Sequence, residues 1–268
     1  MGSPTFYWYP GGEGHLEELA IPDDVGVADL QYRPSQVTGN AYSIHGARFT
    51  ALFSGYDEIV LSLADFDNEV FRRRLEALQR HLQAGFAVSF AIDDAKSWAS
   101  FAAGIPTQDD TTIVTTGPQW NYNSSAALVN GDEIIIQHAP PHTFKAEPHL
   151  IDSITGVGTL NLQTDLVYNY NEAPCLVRHR DFYPILTSVN SGIEAMVTSN
   201  RRVVYNFTAR LRMSWPAIEA YYDAAGQGDD SVLDVTTNGN GRAPDATLDD
   251  VVNHRPNGFY YPDRGPNS

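Results

Sequence analysis

The stretch "NGDEIIIQHAPPHTFKAEPHLIDSI", residues 130–154, places His138, His142, His149 and Glu147 within twelve positions. Imidazole nitrogens with a carboxylate oxygen are the donor set of a zinc or similar divalent-ion site. Spacing argues against that use. Metal-binding histidines at i and i+4 ordinarily share a helix face, and "APP" between His138 and His142 cannot lie inside a helix. His149 follows Pro148 on the way into the next segment. The expectation is therefore no metal site, with these side chains as polar positions at strand ends and turns.

Other constellations are equally thin. "RHRD" at 178–181 and the pair Asp93–Asp94 could supply acid and base groups, but neighbours on a strand face opposite sides and diverge. They read as solvated strand ends or interface ion pairs. No GxSxG nucleophile turn occurs, and "GVGT" at 156–159 lacks the Lys-Ser/Thr of a phosphate loop. No catalytic residue, cofactor or metal ligand is expected, and a structural or assembly role leads. One basic concentration remains in the chain, Arg72, Arg73, Arg74 and Arg80, which is either a solvated helix face or a surface for an acidic patch on a neighbouring copy. With Tyr205, Phe207, Arg210 and Arg212 these form the candidate oligomer interface. Two rivals stay open. A carbohydrate-binding β module could stack sugars on Tyr168, Tyr170 or Trp120, and a metal-dependent hydrolase would use the histidine stretch.

The elements that must position these residues follow from composition and period. With 33 acidic and 17 basic residues the chain carries a net charge of −16, which repels phosphate backbones and anionic membranes, so neither is an expected partner. Cys175 is the only cysteine, so no internal disulfide forms. No apolar run is long enough for a membrane helix, and no signal peptide is recognised. Sixteen Pro, 21 Gly and 19% charged residues point to many turns and a β-rich fold.

One strong helix is expected over 67–84, where Phe71, Leu75, Leu78 and Leu82 recur at spacings of 4, 3 and 4, with Gly85 as its stop. Before it, "AYSIHGARFTALF" and "DEIVLSL" read as a hairpin turning at Ser54-Gly55, and after it "FAVSFAID" reads as a strand. Short segments at roughly ten-residue intervals follow: "AALVN", "EIIIQHA", "HLIDSI", "GTLNLQT", "CLVRHRD" and "YPILTSV". The first two are joined by an Asn-Gly turn. "VVYNFTARLRM" then alternates as a long strand with one wet face, and "SWPAIEAYYDAAG" reads as a short helix. The expected architecture is mainly β (α+β). A discontinuous β-sheet or split-barrel domain with one main helix (41–104 plus 196–226) is interrupted by a small β-barrel-like insert (105–195). Extended arms are expected at 1–40 and 227–268.

The order "RRRLEALQRHLQAGFAVSFAID", "NGDEIIIQ", "LVRHRDFYPIL", "VVYNFTARLRM" resembles the distal tail proteins of long-tailed bacteriophages, over residues 41–222. The first forty residues are longer and more aromatic than in that family, and no second globular domain follows residue 226. The resemblance implies a virion protein of the tail tip or baseplate, assembled in the host cytoplasm. Its first domain forms a ring, hexameric in that family, which continues the tail tube. The β insert projects outward and can hold receptor-binding parts. Implied partners are further copies of itself, tail-tube and hub proteins and receptor-binding proteins.

Overall fold

A computed structural model describes residues 2–10, 15–42, 48–122, 127–138, 145–156, 158–170 and 174–224. Thirteen strands, all paired antiparallel, and two α-helices make up the regular structure of these residues. The helix expected over 67–84 is α1, Glu69–Gln83. It begins where the Asn68 side chain accepts the Phe71 N–H at 3.0 Å, satisfying one of the helix's first free donors. It ends at Gly85, whose φ of +94° lies in the left-handed region that glycine tolerates. Phe71, Leu75, Leu78 and Leu82 are all buried, as their spacing requires.

Seven strands form one sheet in the order β2-β1-β5-β12-β13-β4-β3. They are β1 (Thr5–Trp8), β2 (Glu17–Ala20), β3 (Gly26–Tyr42), β4 (Arg48–Phe66), β5 (Val88–Ala91), β12 (Phe182–Val197) and β13 (Val203–Met213). Six more close into a barrel in the order β10-β7-β6-β11-β8-β9: β6 (Trp98–Ala102), β7 (Thr112–Asn121), β8 (Glu133–His138), β9 (Lys145–Thr155), β10 (Thr159–Leu162) and β11 (Leu176–His179). The chain is thus mainly β, and its sheet is discontinuous in sequence with a barrel inserted into it.

Several boundaries differ from the expected ones, each for a packing reason. The residues read as an N-terminal arm supply β1, β2 and β3, because Phe6, Tyr7, Trp8 and Leu19 are core residues and not loose anchors. The barrel takes in β6 before residue 105 and releases the chain at β12 well before 195, so its strands run from Trp98 to His179. Ser54-Gly55 is not a turn. β4 passes straight through it and pairs with β3 from Gly26↔Ala64 to Tyr42↔Arg48, and residues 43–47 lie outside the described residues. Gly131 does adopt a turn conformation, with φ +88°, but Ala127–Val129 form no strand; β8 pairs instead with β9 and β11, and β7 is a barrel strand that was not expected. The arm expected at 227–268 also lies outside the described residues.

A single apolar core joins the two parts. Tyr205 and Phe207 share a face of β13 with Ala209, Leu211 and Met213, and α1 packs over that side. Trp120 and Phe101 from the barrel pack on Tyr221 of α2 (Trp215–Ala224), with ring centroids 4.7 and 6.4 Å away. The barrel has a second core around Ile134, Ile136, Ile151 and Val177.

Candidate functional site

The histidine stretch folds into the barrel wall. Pro148 and the alternation of β9 send Glu147, His149 and Ile151 inward, and all three are buried. His149 is hydrogen-bonded through Nε2 to Glu147 Oε2 at 2.9 Å and through Nδ1 to the Thr164 hydroxyl at 3.0 Å. Hydroxyl, imidazole and carboxylate in that order are the parts of a nucleophile relay. The carboxylate is committed elsewhere. It also accepts the backbone N–H groups of Val167 (2.8 Å) and Tyr168 (3.3 Å) and the Tyr170 hydroxyl (2.9 Å). Burial alone would raise the Glu147 carboxyl. The bonds from Val167, His149, Tyr170 and Tyr168 outweigh it and hold the group below its ordinary value. Glu147 is therefore the anchor of the 164–170 loop, and the cluster's chemistry is positioning.

His138 ends β8 and is buried, and His142 lies outside the described residues. Among the described residues no three His, Cys, Asp or Glu side chains stand together in a way that could hold a metal ion. Both described histidines of the stretch are buried; His138 stands at a strand end as expected, whereas His149 lies within β9. The Cys175 thiol is buried, and burial pushes its ionisation well up, which makes it inert. Of the three candidate sugar platforms, Trp120 and Tyr170 are buried core residues, and Tyr168 is exposed at 44%.

The eight interface candidates do not share one surface. Arg72 pairs with Glu69 and Glu76 on its own helix and lies over the Tyr205 ring at 5.2 Å. Arg73 pairs with Glu69 at 3.1 Å, and Arg74 reaches Glu17 on β2 at 3.3 Å. These surface pairs are screened by water and each contributes little to stability. Arg80 has no ion pair among the described residues and stands between two open recesses of about 430 and 390 Å³ that flank α1. Phe207 is wholly buried and is a core residue, not a surface one. Arg210 and Arg212 project from the opposite face of β13, where both approach Glu58, at 2.7 and 4.0 Å.

A buried polar cluster, of which only Arg178 was a sequence candidate, lies where barrel meets sheet. Arg178, read with "RHRD" as a solvated strand end or interface pair, is only 1% exposed. Its Nη2 donates to Asp57 Oδ2 at 3.3 Å and its Nε to Gln137 Oε1 at 2.6 Å, while its guanidinium covers the Tyr183 ring at 4.3 Å. Asp57, with no exposure at all, also accepts from Gln137 Nε2 (2.9 Å) and the Tyr32 hydroxyl (2.5 Å). Burial first, and then the neighbouring Asp57 charge, raise the Tyr32 phenol far above its ordinary value. Nothing about a lone Asp in "SGYDEIVLSL" signals this. Its partners lie 80 and 121 residues away, and only the docked barrel brings them near.

Beyond Asp57 lies the most unusual backbone feature. β13 pairs with β4 only as far as Arg212↔Glu58, but β3 and β4 stay paired from Pro34↔Asp57 out to Tyr42↔Arg48. That two-stranded ribbon extends roughly 27 Å past its last sheet neighbour, at about 3.4 Å per residue. At the opposite end of the sheet the β12–β13 hairpin exposes Met196, Val197 and Val203. No family model and no curated protein matches this chain.

Proposed function

We propose that the chain is a structural protein of a phage tail tip, forming a homo-oligomeric ring, six copies by the family resemblance, that joins the tail tube to the baseplate or receptor-binding apparatus. One observation carries this reading, the β3–β4 ribbon. A two-stranded ribbon alone in water is marginally stable at best, and among the described residues neither of its long edges pairs with a further strand, so both are open to another chain. Its charge fits a second copy. Residues 30–56 contain no Asp or Glu and two Arg, Arg33 and Arg48, in a chain with 33 acidic residues, so the ribbon is attracted to the remainder of a neighbour. The ribbon and the β12–β13 hairpin, whose exposed Met196, Val197 and Val203 flank a polar turn, project from opposite ends of the sheet. A contact using two different surfaces is head-to-tail, and head-to-tail contacts close into rings when the rotation allows.

The test is a variant in which residues 36–54 are replaced by an Asn-Gly turn, compared with the intact chain by sedimentation velocity. The intact chain is expected as a closed oligomer and the shortened chain as a folded monomer. An oligomer of unchanged size in the shortened chain would sink the ribbon's role.

A further inference from the structure

We infer that Asp57 and Arg178 are positioning residues for assembly: they fix the direction in which the β3–β4 ribbon leaves the molecule and link that direction to the barrel. The functional meaning rests on the ring reading above, but the positioning itself does not.

Asp57 is the first residue of β4 beyond the reach of β13, so it sits at the root of the ribbon. Its carboxylate gathers three donors from three places: Tyr32 on the other ribbon strand, Gln137 on barrel strand β8, and Arg178 on barrel strand β11. Arg178 Nη1 donates to the carbonyls of Arg180 at 2.9 Å and Phe182 at 3.0 Å, which lie on the link from barrel to sheet. One buried ionic knot therefore ties together the ribbon root, the barrel wall and the crossover that returns the chain to the sheet.

Stability does not explain such a knot. Removing two charges from water costs about what their attraction returns, and buried pairs replaced by apolar side chains of similar size are often neutral or stabilising. A polar pair does supply direction. Each hydrogen bond fails if the ribbon swings relative to the barrel, whereas apolar contacts tolerate sliding. At a root that carries roughly 27 Å of unsupported ribbon, a small rotation moves the tip by many ångströms.

Two measurements separate positioning from plain structure. In the first, Asp57→Asn, Arg178→Met and the double variant Asp57→Leu/Arg178→Met are compared for melting temperature and oligomer size. Each single variant strands a buried partner and is expected to lose both stability and oligomer. The double variant strands no charge and is expected to melt above both single variants, short of the intact chain because Gln137 and Tyr32 lose their partners, and still to fail to assemble. A double variant that recovers oligomer size together with melting temperature would overturn the inference. In the second, spin labels are placed at Thr38→Cys on the ribbon and Val114→Cys on the barrel, with labelled chain diluted into excess unlabelled chain. The native Cys175 is buried. Asp57→Asn, close to isosteric, is expected to broaden the label-to-label distance distribution, and an unchanged width would also overturn the inference. This second result does not depend on assembly. An intact chain that never assembles refutes the ring reading and leaves the positioning to be decided by the label widths.

Discussion

Replacing Glu147 by Gln keeps the shape and removes the charge that four donors share, so the loop carrying Val167 and Tyr168 loses its anchor. The expected cost is about 1–3 kcal/mol, read by chemical denaturation. A carboxyl held below its ordinary value in the folded state adds stability above its unfolded pKa, and that stability disappears as pH falls through the lower folded value. The glutamine variant should therefore lose part of the wild type's acid dependence below about pH 4.5. His81 and His179 act in a higher window. Burial lowers both, so each prefers to be neutral when folded. The unfolded chain then binds more protons, and stability should fall as pH drops below the ordinary histidine value of 6.5. His81→Gln should flatten that slope in a melting series, and a slope identical to wild type would show that His81 does not contribute. Composition and spacing revealed that the histidine stretch is not helical. They did not reveal its burial, because the side chains that bond His149 and Glu147 belong to a loop some twenty residues on.

α1 was the most legible element, since a 4-3-4 apolar spacing and a terminal glycine specify a helix and its buried face from local sequence alone. The ribbon was the least legible. Ser54 and Gly55 look like punctuation, and β4 runs through them because pairing with β3 supplies their backbone partners. Barrel closure depends on a similarly hidden detail. Gly158 has φ +90°, and its carbonyl receives the Thr115 N–H at 2.8 Å across the β7–β10 seam. A Cβ there would lie 2.7 Å from Thr115 Oγ1 and 3.0 Å from the Thr115 carbonyl oxygen. Gly158→Ala should thus combine backbone strain with a clash at the seam and destabilise by more than about 1 kcal/mol. Equal denaturation midpoints for the variant and wild type would contradict this account of the seam.

At the scale of the whole molecule, the alternation of apolar and polar segments was enough to show a mainly β chain with one principal helix and an inserted barrel. The domain edges were displaced because β6 and β12 are chosen by long-range pairing, with β11 and β5 respectively, and not by any local signal. The resulting body carries a ribbon without acidic residues at one end of an otherwise acidic chain, a hairpin with exposed Met196, Val197 and Val203 at the other, and a buried ionic knot at the ribbon's root. These features favour contacts between copies. The most direct test is the solution mass of the intact chain by light scattering across a range of concentrations. The account predicts a discrete closed oligomer, a whole multiple of the chain mass that does not grow further as concentration rises. A strict monomer at the highest concentration reached, or open-ended growth without a limiting size, would contradict it.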